Sequence, residues 1–299
     1  MSPREPNIGN KRRFVVLAAA MLAALVGGIR LAGSAADAVR ENAAGVLEHE
    51  ADSEFSHIRI RKRGSVRSMI FVRDTGEEVL ESQLDLRRPE VLRFEYLKFL
   101  FTSYLLRDRQ EDVLIVGLGG GGMVHFLRHL DPKVRIDAVE IDPLVVQLAD
   151  EYFDVRTGGN VNIITADGLK YLVEAEKKYD VIYMDAFLKP SADTDDTGAP
   201  LGLRTRRFYE QVQQKLKPGG AVAFNLNPHT NLAADLQTIA EAFPQSYVFP
   251  LSRGLGAVAV GSTDPKRVPA GELVRRGRVL DGRFETTLSF YDLARRLRR

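Results

Sequence analysis

From Asp112 to about residue 260 the chain alternates short apolar runs with amphipathic stretches. The runs are "DVLIVGL", "VRIDAVEID", "NVNIITAD", "YDVIYMDAF" and "AVAFNLN", and each is followed by a segment with apolar residues at helical spacing. Apolar runs of roughly four to eight residues between turn signals suit strands buried on both faces. Their alternation with helices predicts a mostly parallel sheet covered on either side. "SYVFPL" and "GAVAVGS" lie close enough together to form an antiparallel edge. Upstream the period shortens to two: "FSHIRIRKRG" alternates, "SVRSMIFVRD" follows, and Thr75-Gly76 turns the chain into "EEVLESQL", which predicts a small antiparallel sheet. "EVLRFEYLKFLFTSYLL" after Pro89 has the spacing of a helix joining the two parts.

The N-terminus has no periodicity of either kind. Lys11, Arg12 and Arg13 precede an apolar run, 14–29, that Arg30 interrupts. As a helix that run is about 24 Å long, and extension to Ala36 with Arg30 snorkelling brings it to bilayer thickness. It is read as a single membrane anchor, with a secreted protein cleaved at "ADA" (36–38) as the alternative. The basic residues ahead of it would leave the rest of the chain facing outward. The expected organisation is therefore a basic N-terminus with anchor or signal (1–38), a linker (39–54), a β domain with joining helix (55–106), a Rossmann-like catalytic domain (107–263) and a basic C-terminal tail (264–299).

Composition changes this picture little. A formal net charge of +2 gives no global field for nucleic acid, and the late clusters "RRGR" and "RRLRR" read as helix ends or tail. The chain has no cysteine, which excludes disulfides, thiolate metal sites and cysteine nucleophiles. His125 and His129 stand four apart on a predicted helix, but no acid partner motif accompanies them. They are read as a helix face, and no metal is expected.

The chemistry concentrates at "DVLIVGLGGGG", where five glycines fall within six residues. Gly117, Gly119 and Gly121 end a strand and open a helix, so a nucleotide-type cofactor can lie on bare backbone beside the helix N-terminus. Glu140 ends the next strand, about 20 residues on, where a carboxylate can accept two ribose hydroxyls. Asp167 ends the third strand, where a carboxylate can accept an exocyclic amine of a base. Asp185 ends the fourth. Each acid could instead cap a helix; jointly they address one crevice at the carboxyl ends of the strands.

These residues resemble a family. "VLIVGLGGGG…DAVEIDP…ADG…YDVIYMDAF…FYEQVQQKLKPGG" is similar to the spermidine synthase (polyamine aminopropyltransferase) family, a branch of the class I S-adenosylmethionine-dependent transferases. "ESQLDLRRPEVLRFEYLKF" resembles the segment joining that family's N-terminal sheet to its catalytic domain. The resemblance covers about 55–260. It implies an α/β fold: a Rossmann-like class I methyltransferase sheet of seven strands, mostly parallel, behind a small N-terminal antiparallel β domain. It further implies S-adenosylmethionine or its decarboxylated form as cofactor, with Gly117, Gly119 and Gly121 as cofactor loop, Glu140 on the ribose and Asp167 on the adenine. Asp185 would be the catalytic aspartate that positions and deprotonates an attacking amine. Gln83 and Tyr96 would line the substrate site, and a small putrescine-like amine is the implied partner. A homodimer is left open.

Two departures from the pattern bear on the reaction. The family's glycine loop carries an Asp, which contacts the amine of the decarboxylated cofactor, where this chain has Gly120. The gate loop's second Asp, which holds the far amine of putrescine, falls on Leu188. Asp193, Asp195 and Asp196 could restore an acidic mouth or form a solvated loop. Aminopropyl transfer in polyamine biosynthesis is the reading retained. Methyl transfer is the first alternative, because half of a eukaryotic elongation-factor methyltransferase has a similar "GLGGG…DAVEIDP" run. A binding module without turnover is the second.

Overall fold

The structure is a computed structural model that describes residues 45–186 and 201–298. Its first sheet has the order β1-β2-β3-β4, with β1 (Val46–Asp52), β2 (His57–Arg63), β3 (Val66–Val72) and β4 (Glu78–Asp85). Ile58, Ile60, Met69 and Leu84 make its apolar face and bury against Val145, Leu148 and Phe153 of α3 (Pro143–Phe153). Strand β1 lies in the segment read as a linker. Its alternation is one of charge rather than apolarity. Glu48 pairs with Arg67, Glu50 with Arg59 and His57, and Asp52 with His57. A strand held through ion pairs leaves no hydrophobic signature.

Strand β4 contains an irregularity that matters below. Met69 of β3 pairs with Ser82 and Ile70 pairs with Leu80, so Glu81 is an extra residue with no partner across the ladder. A bulge of this kind re-aims a side chain.

The joining segment turns at Asp85–Arg88 and Arg88–Val91 before helix α1 (Glu95–Leu100) begins, and a 3-10 turn (Phe101–Leu105) continues it. The helix thus starts six residues later than Pro89. Its first-turn Glu95 accepts hydrogen bonds from the Ser252 amide (3.0 Å) and hydroxyl (2.7 Å).

The second sheet has seven strands in the order β10-β11-β9-β8-β5-β6-β7. Strands β5 (Asp112–Val116), β6 (Arg135–Glu140), β7 (Val161–Thr165), β8 (Tyr179–Met184) and β9 (Leu216–Leu226) run parallel; β10 (Gln245–Pro250) and β11 (Ala257–Ser262) form the antiparallel edge. Every residue of β5 and β8 is buried, as two-sided coverage requires. On one face lie α1, α2 (Gly122–Leu130) and two C-terminal helices; on the other lie α4 (Gly168–Glu174), α5 (Arg206–Gln214) and α6 (Leu232–Ala242). Order reverses at β5, which has β6 on one side and β8 on the other. That is the switch point where ligands bind in open α/β sheets.

The segment from 264 folds as α7 (Ala270–Arg283) and α8 (Phe290–Ala294). Leu273, Leu280, Phe290 and Leu293 bury into the main core, and the Tyr104, Phe284 and Phe290 rings pack at centroid distances of 5.4 and 5.7 Å. The "RRGR" arginines are a helix surface: Arg275 and Arg276 both pair with Glu272.

The expectation of a membrane anchor, and of a location defined by it, is corrected. No helix among the described residues is long and apolar enough to cross a membrane. The apolar run at 14–29 lies outside the described residues.

At the amino ends of the parallel strands an ion cluster closes the sheet. Asp180 is 1% exposed and accepts hydrogen bonds from the Glu111 and Asp112 amides (3.0 Å each), Lys217 (2.9 Å) and Arg107 (2.6 Å). Burial opposes its ionisation, but these donors outweigh burial and hold its carboxyl below the usual range. Its stabilisation is therefore complete above the unfolded-state pKa near 4 and is lost as pH falls through the lower folded value. Asp180→Ala should destabilise the chain by about 3–5 kcal/mol, because it removes the acceptor of the Glu111 and Asp112 amides and the partner of Arg107, and leaves Lys217 to Asp112 alone. Urea unfolding at pH 7 measures it, and a midpoint equal to wild type would refute this role.

Candidate active site

Strand ends β5, β6 and β8 and the start of α2 enclose a cavity of about 200 Å³, roofed by Phe55 between β1 and β2, by Phe71, Glu81 and Ser82 of the first sheet and by Tyr96 and Leu97 of α1. Gly117, Gly119, Glu140, Asp167, Asp185 and Tyr96 all line it. The structure thus brings together six of the eight residues singled out in the sequence. Gly121, at φ 67°, caps α2 behind the lining, and Gln83 faces elsewhere.

The glycine turn is dictated by contact. Gly117 has φ 96°, and a Cβ there would stand 2.1 Å from the Asp185 carbonyl oxygen. Gly120 is a different case. Its amide donates to Ser82 Oγ at 2.9 Å, and a Cβ would meet Ser82 Oγ and the buried Phe153 ring at 2.9 Å each. The acid that the resemblance leads one to expect at this position has no room here. Gly120→Asp should therefore lower the melting temperature through about 1–3 kcal/mol of overpacking, without tightening binding of a decarboxylated cofactor. Thermal melts with and without ligand would show it; tighter binding would contradict the geometry.

Glu140 accepts hydrogen bonds from the Leu118 amide (2.9 Å) and the Asp142 amide (3.1 Å), which fixes its carboxylate beside the glycine turn. Burial raises its pKa against the effect of those amides. Asp167 does cap a helix: its Oδ1 accepts from the Leu169 (2.8 Å) and Lys170 (3.2 Å) amides at the start of α4. Both bonds use one oxygen, so the capping and cavity-facing readings are compatible. Asp142 caps α3 and accepts a 2.6 Å bond from Ser53, which ties the first sheet to the cavity floor.

Asp185 is held from two sides. Asn225 Nδ2 donates to Oδ1 at 2.9 Å, and the Tyr96 hydroxyl donates to Oδ2 at 3.3 Å. Burial pushes its carboxyl up to about 6 against these two donors, with the Glu140 charge adding to the rise. Burial and the charges of Asp185 and Glu81 push the Tyr96 hydroxyl well above its ordinary value, so it remains a donor. Asn225 was not singled out in the sequence, where "NLNPH" reads as a strand end. Its role follows from the pairing of β8 with β9, which sets Met184 against Phe224 and so brings the next residues together.

Gln83 is engaged outside the cavity: it donates to Ser68 (3.1 Å) and accepts from Arg93 (3.2 Å). The bulge puts Glu81 and Ser82 in the cavity wall instead. Burial and the Asp185 charge raise Glu81 to about 7, with Arg73 opposing. His125 Nε2 donates to the Phe153 carbonyl (2.8 Å) and His129 Nε2 to the Glu285 carbonyl (3.2 Å). Among the described residues no group of three or more His, Cys, Asp or Glu is placed to hold a metal. Leu188, Asp193, Asp195 and Asp196 lie outside the described residues.

The spermine/spermidine synthase domain matches residues 99–249, just over half of the chain. A polyamine aminopropyltransferase from Vibrio vulnificus is 31% identical over 59% of this chain and 58% of its own length. An eEF1A lysine and N-terminal methyltransferase homolog from Drosophila melanogaster is 30% identical over 54% of this chain, but over only 24% of its own length. The crystal structure of human methyltransferase-like protein 13 in complex with SAH superposes with a TM-score of 0.54 at 27% identity, covering 66% of this chain and 95% of that one. The chain spans little more than half of the aminopropyltransferase and about a quarter of the methyltransferase homolog. Its glycine turn and strand-end acids stand in the matched region, and the chain belongs to the spermine/spermidine synthase family.

Proposed function

We propose that the chain is a transferase that binds a decarboxylated S-adenosylmethionine-type cofactor and moves its aminopropyl group to a small amine. The observation that carries this reading is the charge of the cavity. Glu81, Glu140, Asp142, Asp167 and Asp185 line it, and no Lys, Arg or His does among the described residues. A ligand with a sulfonium and an ammonium fits such a wall, whereas a free carboxylate would be repelled. The relative named as a polyamine aminopropyltransferase and the domain match support it.

In this reading the glycine turn lies against the nucleoside, Glu140 accepts from the ribose hydroxyls and the free oxygen of Asp167 accepts from the adenine amine. A bound sulfonium cofactor supplies an activated carbon. The protein's part is to exclude water, hold the amine in line and take its proton on Asp185, which Asn225 and Tyr96 orient. Methyl transfer is the second reading, favoured by Gly120, where Ser82 and Phe153 fill the space of an amine-binding acid. The methyltransferase relatives point the same way.

Incubation with cofactor carrying label in the aminopropyl chain or in the methyl group, with butane-1,4-diamine as acceptor, separates the two. Label from the decarboxylated cofactor's chain in the product supports the proposal; label transferred only from the methyl group of intact cofactor replaces it with the second reading.

A further inference from the structure

The five cavity acids differ in what already holds them. Glu140, Asp142 and Asp167 each accept backbone amides, and Asp185 accepts from Asn225 and Tyr96. Glu81 receives no hydrogen bond from the described residues, although it lines the same cavity. The bulge at Glu81 re-aims one side chain out of the β4 alternation and into the cavity roof beside Asp185 and Tyr96. Phe55, Phe71 and Leu97 give the same cavity apolar lining. A carboxylate without a donor in a largely apolar wall lacks only a cation that can give it hydrogen bonds.

We propose that Glu81 is the specificity residue for the acceptor: it holds an alkylammonium whose chain lies along the apolar wall and whose reacting nitrogen reaches Asp185. The inference rests on the proposed transfer to an amine. Proton and electron bookkeeping closes on groups already named. The acceptor enters as R–NH3⁺ and gives one proton to the Asp185 carboxylate. The freed lone pair forms a C–N bond to the carbon on sulfur, the C–S pair leaves with the sulfur as a neutral thioether, and the new ammonium carries the positive charge.

The groups facing Glu81 make it a selective counter-charge. Asp185 from the end of β8 pushes its proton affinity up, and Arg73, past the end of β3, pulls it down. Arg73 is itself ion-paired with Glu77 at 3.3 Å, so the cationic role is left to the ligand. Cation entry favours the ionised forms of both acids, whereas a neutral nucleophile leaves two like charges facing one another. That difference selects charged amines over alcohols of the same length.

Glu81→Gln keeps the shape and removes the charge; Glu81→Asp keeps the charge on a shorter stem. Two measurements on the full chain test the idea. Butane-1,4-diamine is titrated by calorimetry into protein saturated with 5′-methylthioadenosine, the thioether left after transfer, and steady-state constants are taken for each variant. Expected for Glu81→Gln are at least about a tenfold loss of diamine affinity and a KM raised by a similar factor. Its kcat should stay within about threefold and its thioether affinity should be unchanged, with Glu81→Asp recovering part of the loss. Thioether binding by wild type with equal diamine affinity in wild type and Glu81→Gln overturns the role of Glu81 alone. Failure of wild type to bind the thioether overturns the proposed reaction and this inference with it.

Discussion

Asp185→Asn should lower kcat by about 10²–10⁴-fold while cofactor affinity changes little. The substitution keeps the shape, and the amide can still take the Tyr96 hydrogen bond, but it cannot accept the proton of an incoming ammonium. It also opposes the Asn225 amide, so the residual rate should not be rescued by raising acceptor concentration. Wild-type kcat should rise with pH across a limb near 6, because the carboxylate form is the active one. Glu81 near 7 faces Asp185, so the limb reports the pair and not one residue. In Asp185→Asn one of the pair's two steps should vanish. The same shift has a consequence for the unliganded protein. A carboxyl raised from about 4 in the unfolded chain contributes stability that is complete below that value and is lost as pH rises through about 6. Rate against pH for both proteins checks the first point, and urea midpoints from pH 4 to 7 check the second. An Asp185→Asn enzyme within threefold of wild type would remove Asp185 from the chemistry.

Gly117→Ala should abolish cofactor binding. A methyl group at this position would press 2.1 Å from the Asp185 carbonyl oxygen, at a φ of 96° that side chains avoid. Either the turn moves off Glu140 or the end of β8 moves, and both carry the site with them. The Asp185 amide bonds to the Val116 carbonyl at 2.9 Å, so the two strand ends cannot part without losing the ladder. Strain and overpacking together put the cost at roughly 2–5 kcal/mol. Circular dichroism melts and ligand titration would measure it. Unchanged affinity in a stable Gly117→Ala protein would show that the turn is not the cofactor loop. Gly119 offers a contrast, since its nearest foreign atoms are 3.5 Å away.

What could be read from residue order follows physical lines. The parallel strands are legible because burial on both faces demands unbroken apolar runs, as in "DVLIV" and "YDVIYM". The strand-end acids are legible because the topology sends every parallel strand's carboxyl end to one edge of the sheet. Strand β1 was hidden because its side chains are held by ion pairs. The C-terminal helices were hidden because Arg275, Arg276, Arg278 and Arg283 obscure the few apolar positions, Leu273 and Leu280, that bury them. The largest difference concerns the acceptor side of the cavity. The resemblance puts Gln83 on that side, but the extra residue at Glu81 re-aims the strand, and no period-two pattern contains that information. Asn225 was missed for a similar reason: its meaning depends on which strand lies beside β9.

The resemblance also needed the structure to be weighed. Read from the sequence, Gly120 is an acid that has been lost. In the fold it is a position where Ser82 and Phe153 leave no space for one. The cofactor turn is therefore braced by the first sheet through the Ser82 hydroxyl, and the acidic character of the site comes instead from Glu81, Glu140, Asp142, Asp167 and Asp185.

The central claim is that this cavity binds an adenosyl sulfonium between the glycine turn and the strand-end acids. Calorimetry with S-adenosylmethionine, its decarboxylated form and S-adenosylhomocysteine tests it most directly. Saturable one-to-one binding, tightest for the decarboxylated form and lost in Gly117→Ala, is the expected result. Absence of binding for all three ligands to the folded wild-type chain would contradict it.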